Sequence, residues 1–365
     1  MKLDPFFTFV LVVILCWSVY HFWYIKDHIG ERQTQHATYP KTFDFLLYST
    51  LTATASLIIQ SVGRRVLQPV AEHVLPQKRW SRQVFALKQR RFAEMALKSL
   101  YFLAVTLAAF LSLRHESWWP GLLGGTGGED ALFTGFPFQE SHPFTHSYFF
   151  VSAGYHLSCF ILLLLSPKLP DFLETLLPCV CAMLLIFFSY IGNFLRVGSI
   201  ILFCHDFCDI FSCGCKVFVD TRHKVVTFFL FACLMISWGY LRLYAFPAAA
   251  LFPIFKNVKN MKATADSEDW GFFVFLLLTV FVMNIYWFGL MVKMCLHFCT
   301  SGQMSDLHAP AVSDEDAAVK ATAAASPRHK RNDASPATSG RGAGVANKRS
   351  GGGSSSGSSG RKRHS

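Results

Sequence analysis

The chain has 365 residues, of which 52% are hydrophobic, 15% aromatic and only 16% charged. A soluble domain carries about a quarter charged residues, so this composition excludes a soluble fold that covers its core with polar side chains. The formal net charge of +11 lies in a few segments between apolar runs. Such a distribution indicates membrane topology and argues against a nucleic-acid-binding surface. We therefore expect an all-α polytopic membrane protein.

Eight apolar segments are long enough to cross a bilayer as helices, because about 20 apolar residues span its hydrocarbon core. The first, 6–24, is long for a signal peptide and lacks a small-residue cleavage site, so it is predicted to remain as a membrane anchor. The second, 43–62, gives the weakest prediction, since it contains many Ser and Thr residues. The predicted spans are 6–24, 43–62, 97–113, 148–166, 173–191, 197–219, 225–246 and 272–298.

The charges of the connections predict how these spans are oriented. Segment 64–98 holds nine Lys or Arg residues against two acidic residues, whereas segment 114–147 holds one Arg against four acidic residues. Because Lys and Arg accumulate in cytosolic loops, the first segment is predicted to face the cytosol and the second the lumen. With eight spans, both termini are then predicted to face the cytosol.

The spans and the composition divide the chain into four parts. Residues 1–42 are predicted to form the N-terminal anchor with a lumenal loop, and 43–90 the second span with a basic cytosolic loop. Residues 91–300 hold the other spans, and 301–365 are rich in Ala, Ser, Gly, Lys and Arg. This last part has too few large apolar side chains to offset its ordering entropy, so we predict a disordered basic tail. Its expected role is solvation and topology, or binding of anionic lipid head groups.

Acidic and imidazole side chains are concentrated in one predicted span. His205, Asp206 and Asp209 lie within five residues, and on a helix His205 and Asp209 share a face. Ionisable groups inside a bilayer are costly, so each is a functional candidate, although buried polar groups also lock helices together. An imidazole beside carboxylates can take up or donate a proton near neutral pH, which makes this cluster the predicted reactive site. Three polar residues precede the cluster at spacings of three: Tyr190, Asn193 and Arg196.

This span resembles the Lag1 motif of the TLC-domain proteins and, among them, of the ceramide synthases. The resemblance extends over about residues 90–300, and it implies that 91–300 form the helical bundle of a TLC domain. Further similarity lies in Trp238, Arg242 and Pro247, and in the Tyr-Trp pair of the last span. The residues that match the motif are Ser189, Tyr190, Asn193, Arg196, Val197, Gly198, His205, Asp206, Asp209 and Lys216.

The resemblance implies a sphingoid-base N-acyltransferase of the endoplasmic reticulum, which transfers an acyl group from acyl-CoA to a long-chain base and forms ceramide. His205, Asp206 and Asp209 would deprotonate the amine and organise the site. Acyl-CoA is a co-substrate, and neither a cofactor nor a metal is implied. The expected partners are acyl-CoA, the sphingoid base, membrane lipids and another TLC-domain chain in a homo- or hetero-oligomer, with no nucleic acid. The expected substrate-binding residues are Tyr190, Asn193, Arg196, Trp238, Arg242, Tyr286 and Trp287.

The sequence departs from the family pattern at a pair of histidines that precedes the His205 span. Pro178 and Cys179 stand at these positions, and Asn284 stands where the family has a histidine in the last span. Cys179 lies about 14 residues before Asn193 and His205 about 12 after it, so both reach a similar depth on antiparallel helices. Cys179 is therefore a candidate acyl acceptor, because a thiol activated by His is a good nucleophile. The alternative is an inert apolar thiol.

Two other functions, and separately a metal site, stay open on the sequence alone. The missing His pair favours a catalytically inactive TLC-domain protein that acts as a regulatory partner of an active synthase, or as a lipid-binding or translocon-associated protein. Membrane-buried acids also occur in transporters, but those typically show repeats and broken helix pairs, whereas this sequence has only Pro178 in mid-span. The metal site would be a zinc site, although the spacing of its ligands fits no standard zinc motif. Its ligands would be His205, Cys208, Cys213 and Cys215.

Overall fold

A computed structural model describes residues 5–76, 80–165, 172–261 and 267–301, and no β-strand occurs in these ranges. The predicted tail lies outside the described residues from 302 onward. Two π-helical segments, Trp238–Ala245 and Pro247–Leu251, lie between α8 and α9. The helices are α1 (Pro5–Gln35), α2 (Thr42–Val74), α3 (Arg82–Leu113), α4 (Glu129–Leu132), α5 (Pro143–Leu165), α6 (Phe172–Ile191), α7 (Leu195–Phe218), α8 (Lys224–Ser237), α9 (Phe252–Met261) and α10 (Ser267–Ser301).

The apolar helices are those of a multi-pass membrane protein. Within the described ranges, seven helices are long and apolar enough to cross a membrane. The fifth predicted span, 173–191, corresponds to α6, whose apolar part is the shorter stretch Thr175–Ile191. The weakest predicted span, 43–62, lies inside α2, which is 33 residues long. The prediction of an all-α membrane fold is therefore confirmed.

The segment predicted as a basic loop, 64–98, is mostly helical, which corrects the sequence-based prediction. The ends of α2 and α3 cover all of it except residues near 75–81. Arg, Lys, Gln and Glu are good helix formers, so the charged residues prolong both helices beyond their apolar parts. The Glu94 carboxylate of α3 accepts hydrogen bonds from Arg64 of α2 at 3.1 Å and from Arg90 at 2.9 Å. The first of these ion pairs joins the two helices, whereas the second lies within α3.

The central helix of the bundle is α7. In its most apolar stretch 67% of the residues are buried inside the protein, against 17% for α1. It packs against α3, α5, α6, α8 and the first π-helical segment. Small residues such as Gly198, Ser199 and Gly214 lie on its buried faces, and small residues allow helices to approach closely in membranes. The predicted reactive cluster therefore lies on the most enclosed helix.

The helix that follows α7 changes its hydrogen-bonding pattern along its length. In the first π-helical segment, N–H groups reach back five residues, as from Phe246 to the Leu241 carbonyl. Pro247 has no N–H to donate, so it interrupts a regular α-helical ladder at this point. Segments of π-helix are rare and occur frequently at functional sites. Here the first segment carries both Trp238 and Arg242.

The connecting segment, residues 114–142 between α3 and α5, is packed against the bundle. Trp118 and Trp119 are buried, and the indole N–H of Trp119 donates to the Leu123 carbonyl at 3.2 Å. The hydroxyl of Tyr240, from the first π-helical segment, donates to the Leu122 carbonyl at 2.8 Å. A stretch predicted only as an acidic lumenal loop is therefore part of the folded structure.

Gly198 marks a close approach of α7 to α5 and α6. A Cβ atom at this position would lie 2.6 Å from Cζ of Phe149 and 3.1 Å from Cβ of Ser189. We expect Gly198→Ala to lower the free energy of unfolding by about 1–3 kcal/mol, as overpacking of a tight interface does. The measurement is the melting temperature in detergent. Gly271→Ala is the control, because an added Cβ there meets nothing within 4 Å. Equal melting temperatures for Gly198→Ala and Gly271→Ala would contradict the tight contact at Gly198.

Candidate functional site

His205 lies near the middle of α7 with a defined ring orientation. Its Nδ1–H donates to the backbone carbonyl of Ile201 at 2.8 Å. A neutral imidazole that is protonated at Nδ1 carries its lone pair on Nε2. Nε2 accepts a hydrogen bond from the amide nitrogen of Asn284 at 3.2 Å, and Asn284 is buried. The ring nitrogen that can act as a base therefore faces α10.

Asp206 faces α5. Its side chain is buried, and Oδ2 accepts a hydrogen bond from the Tyr148 hydroxyl at 2.7 Å. A hydrogen bond to a carboxylate is roughly twice as strong as one between neutral groups, so Tyr148 holds this acid in place. Tyr148 is absent from the residues predicted for the site. A tyrosine at the start of a span is ordinary in a sequence, and only the packing of α5 on α7 reveals its partner.

Asp209 forms an ion pair with Arg242. Nη2 of Arg242 donates to Oδ1 of Asp209 at 2.7 Å and to the backbone carbonyl of His205 at 2.9 Å. The guanidinium carbon lies 3.9 Å from the centre of the Trp238 ring, which is a cation–π contact. The indole N–H of Trp238 donates to the backbone carbonyl of Asn284 at 3.0 Å. The structure thus brings Trp238 and Arg242, both predicted as substrate-binding residues from the sequence, close to His205 and Asp209.

Arg196 lies in the first turn of α7 and binds the connecting segment. Its Nη1 donates to the backbone carbonyl of Ala131 at 2.7 Å and lies 3.4 Å from that of Thr134, while Nη2 donates to the carbonyl of Glu140 at 2.8 Å. These contacts use both terminal nitrogens of the guanidinium. A role of Arg196 in substrate binding stays a prediction.

Asn193 joins the same segment to the turn between α6 and α7. Its φ of 57° lies in the left-handed region, which Asn tolerates better than most residues. Its amide nitrogen donates to the carbonyls of Pro137 and Gln139 at 2.7 and 3.2 Å, and the Gln139 amide donates back to the Asn193 carbonyl at 2.8 Å. The Tyr190 hydroxyl lies 3.3 Å from Nδ1 of His146. Substrate binding by Asn193 and Tyr190 also stays a prediction.

Cys179 of α6 is half-buried. Its role as an acyl acceptor stays a prediction. The cysteines that the structure describes are free thiols. In the same ranges, no three His, Cys, Asp or Glu side chains are placed to hold a metal ion, so the zinc-type pattern of the sequence does not assemble there.

Tyr286 and Trp287 lie on α10, shortly after Asn284. Tyr286 is 42% exposed, and its ring contacts Phe7 of α1 with centroids 6.1 Å apart. Trp287 is partly buried against the main core and meets the Tyr286 ring edge-on. Their predicted substrate-binding role is not tested by these contacts.

Comparison with known proteins agrees with the resemblance to TLC-domain proteins. Residues 91–293, more than half of the chain, match the TLC domain. The chain is 27% identical to ceramide synthase 4 of Homo sapiens over 246 residues, which cover 67% of this chain and 60% of that protein. It is 24% identical to sphingosine N-acyltransferase lag1 of Schizosaccharomyces pombe over 233 residues, covering 59% of this chain and 56% of that protein. The matched region thus spans less than two thirds of both relatives.

Proposed function

This chain belongs to the TLC-domain family, and we propose that it acts as a ceramide synthase-like N-acyltransferase that joins the acyl group of acyl-CoA to the amine of a sphingoid base. The names of its relatives, ceramide synthase and sphingosine N-acyltransferase, support this reaction class. The observation that supports a role for one particular residue in this reaction is the defined orientation of the His205 ring. Its Nδ1–H is held by the Ile201 carbonyl, and its Nε2 lone pair faces the contact between α7 and α10.

His205 supplies the base in the proposed reaction. The amine of the sphingoid base takes the place of the Asn284 amide at Nε2 and passes a proton to it while the amine nitrogen attacks the acyl carbon. Over the whole reaction the N–C bond forms, the C–S bond breaks, and the CoA thiolate receives that proton. Asp209 and Arg242 act as positioning residues, because the Arg242 guanidinium bonds both the Asp209 carboxylate and the His205 backbone.

The proposal includes a location in the endoplasmic reticulum membrane with both termini in the cytosol. The basic helix ends at 64–98 then lie at the cytosolic face. Arg64 of α2 and Arg90 of α3 meet there on Glu94, and the Lys and Arg residues of this region outnumber its acids. A positive surface of this kind attracts the phosphates of acyl-CoA and raises its local concentration. Association with another TLC-domain chain belongs to the same proposal.

A catalytically inactive TLC-domain protein is the second candidate, and the Asn284 contact is the observation that favours it. The Asn284 amide occupies Nε2 of His205, at a position where the resemblance implies a histidine. Pro178 and Cys179 also replace the expected His pair. Such a protein would regulate an active synthase, bind lipid or associate with the translocon without transferring acyl groups.

Incubation of the purified protein with acyl-CoA and sphinganine separates these two candidates. We expect the wild-type chain to form ceramide. His205→Ala should form it at least about 100-fold more slowly, since a general base contributes about 10²–10⁴-fold to the rate. Cys204→Ala is the matched control, because Cys204 is the buried neighbour of His205 on the same helix and has no proposed role. Ceramide formation by His205→Ala at the wild-type rate would refute the role of His205 as the general base. No ceramide from the wild-type protein would favour the inactive candidate.

A further inference from the structure

We propose that one face of α7 binds the CoA part of acyl-CoA. This face, the polar stripe, consists of His205, Asp209, Ser212 and Lys216. Lys216 binds the phosphates of CoA, and the pantetheine arm lies along the stripe so that the thioester reaches His205. The inference rests on the proposed N-acyltransferase function, and it gives Ser212 and Lys216 a role in binding this substrate.

The polar stripe is a single face of the helix. Its residues follow one another at intervals of four, three and four, which keeps them in line on an α-helix. Gly214 lies on the opposite face, where an added Cβ would be 3.5 Å from Cδ1 of Leu230 on α8 and 3.9 Å from Oγ of Ser99 on α3. The stripe therefore points away from the side on which α3 and α8 approach Gly214.

The polar stripe is accessible, although α7 is the most enclosed helix of the bundle. Its four residues are half-buried or exposed, and the side chain of Asp209 is 32% exposed. On the other side of the helix, the partly exposed residues Phe207 and Phe211 are apolar. Polar groups that stay accessible within a span face the bundle interior or a water-filled cavity. The stripe therefore lines a space that admits polar atoms.

Two neighbouring elements border the polar stripe at its inner end. The Asn284 amide of α10 lies 3.2 Å from Nε2 of His205, and Arg242 of the first π-helical segment bonds Oδ1 of Asp209 at 2.7 Å. Oδ2 of Asp209 and the side chains of the last two stripe residues form no hydrogen bond among the described residues. A carboxylate oxygen, a hydroxyl and an ammonium group are thus available to a ligand.

The outer end of the polar stripe lies beside the basic segment 64–98. Lys216 is in the last turn of α7. Lys88, which belongs to that segment, forms an ion pair with Asp220 of the α7–α8 turn, with Nζ 3.4 Å from Oδ2. In the proposed orientation this end faces the cytosol. Acyl-CoA that is attracted to the basic surface therefore meets the stripe at Lys216.

The length of the polar stripe favours CoA over the sphingoid base as its ligand. Lys216 follows His205 by eleven residues, so the two positions lie about 16 Å apart along the helix axis. In CoA the pantetheine arm, an extended chain with two amides and a hydroxyl, separates the phosphates from the thioester. A sphingoid base has its polar atoms at one end only, and its alkyl chain would lie against most of the stripe.

The chemistry of the stripe matches the arm and the phosphates in order. An ammonium group binds phosphate as a point charge, which suits Lys216 at the outer end. The Ser212 hydroxyl and the free oxygen of Asp209 can bond the amide and hydroxyl groups of the arm. His205, at the inner end, then meets the thioester.

Kinetics with two thioesters test this assignment. Palmitoyl-CoA carries the phosphates, whereas S-palmitoylpantetheine has the same thioester and arm without them. We expect Lys216→Ala to raise the KM for palmitoyl-CoA about tenfold, as loss of a charge-assisted hydrogen bond does. The kcat and the KM for S-palmitoylpantetheine should stay unchanged, and Lys216→Arg should restore most of the KM for palmitoyl-CoA. Ser212→Leu should raise both KM values, because its side chain fills the path of the arm.

Calorimetric titration of the full-length protein with CoA itself, in a neutral detergent, measures the same contact without turnover. The affinity for CoA should fall about tenfold in Lys216→Ala. Arg222→Ala is the matched control, because it removes an exposed positive charge of the α7–α8 turn that lies outside the stripe. Its CoA affinity should change by less than about twofold, since salt screens exposed charges.

The possible results separate the binding site from the reaction. Unchanged CoA affinity in Lys216→Ala, or an equal loss in Lys216→Ala and Arg222→Ala, would overturn the inference. Wild-type KM values in Ser212→Leu would place the arm elsewhere and also overturn it. CoA binding that depends on Lys216, without ceramide formation by the wild-type protein, would uphold the binding site and refute the proposed reaction. Ceramide formation with a wild-type KM for palmitoyl-CoA in Lys216→Ala would do the reverse.

Discussion

Arg242→Gln is expected to abolish most N-acyltransferase activity and to lower the free energy of unfolding by about 3 kcal/mol, near the low end of the cost of breaking a buried ion pair. The side chain of Arg242 is 8% exposed and that of Asp209 is 32% exposed. Loss of the guanidinium leaves the Asp209 carboxylate without its counter-charge. The same change removes the donor to the His205 carbonyl and the cation over the Trp238 ring. Ceramide formation and the melting temperature in detergent measure the two effects.

The double variant Arg242→Gln with Asp209→Asn separates stability from catalysis. Two neutral amides can bond each other without a buried charge, so the melting temperature should recover most of its loss. Activity should stay low, because the negative charge next to the site is gone. Arg242→Lys is the intermediate control, since an ammonium group keeps the charge but lacks the planar fork that pairs with a carboxylate and stacks on an indole. A wild-type melting temperature for Arg242→Gln would show that the ion pair does not stabilise the bundle.

The membrane fold and the clustering of His205, Asp206 and Asp209 are predictable from the sequence because each rests on a local pattern. Long apolar runs predict membrane spans, and seven helices among the described residues are long and apolar enough to confirm the prediction of a membrane fold. The proximity of His205 and Asp209 follows from their spacing on one helix. Trp238 and Arg242 lie 33 and 37 residues after His205 in the chain. Only the resemblance to a known motif associated them with the site, and the Asp209–Arg242 ion pair supports that association.

The contacts between helices are not predictable in this way, because they depend on packing rather than on spacing. The Tyr148 hydroxyl reaches Asp206 from a helix that begins some sixty residues earlier. The π-helical register that carries Arg242 depends on the hydrogen bonds available around Pro247. The basic segment 64–98 was predicted as a loop, since apolar periodicity ends there, yet its residues have high helix propensity and pair across α2 and α3. In this segment the helix propensity of the charged residues, rather than the end of the apolar pattern, determined the structure.

Arg196→Ala is expected to release the connecting segment from α7 and to lower the free energy of unfolding by at least about 2 kcal/mol. Each hydrogen bond to a charged group contributes about 1.5–3 kcal/mol, and Arg196 makes two short ones, to the carbonyls of Ala131 and Glu140 at 2.7 and 2.8 Å. The measurements are the melting temperature and the rate of limited proteolysis within residues 114–142. Arg114→Ala is the matched control, because the side chain of this arginine in the same segment donates to the exposed side chain of His115 and lies over the Phe110 ring, and neither contact reaches a backbone carbonyl of the segment.

The kinetics of Arg196→Ala decide between the structural contacts and the substrate-binding role predicted from the motif. If Arg196 acts by holding carbonyls, the variant melts earlier and is cleaved faster, and its KM for acyl-CoA and sphinganine stays near the wild-type value. If the guanidinium binds substrate instead, KM rises while the melting temperature and the proteolysis rate stay unchanged. Arg196→Lys sharpens the distinction: one ammonium group cannot reproduce the fork that reaches carbonyls on both sides of the segment, but it does retain a positive charge for an acidic ligand. We expect the lysine variant to be as protease-sensitive as the alanine variant, because geometry rather than charge fixes the segment to α7.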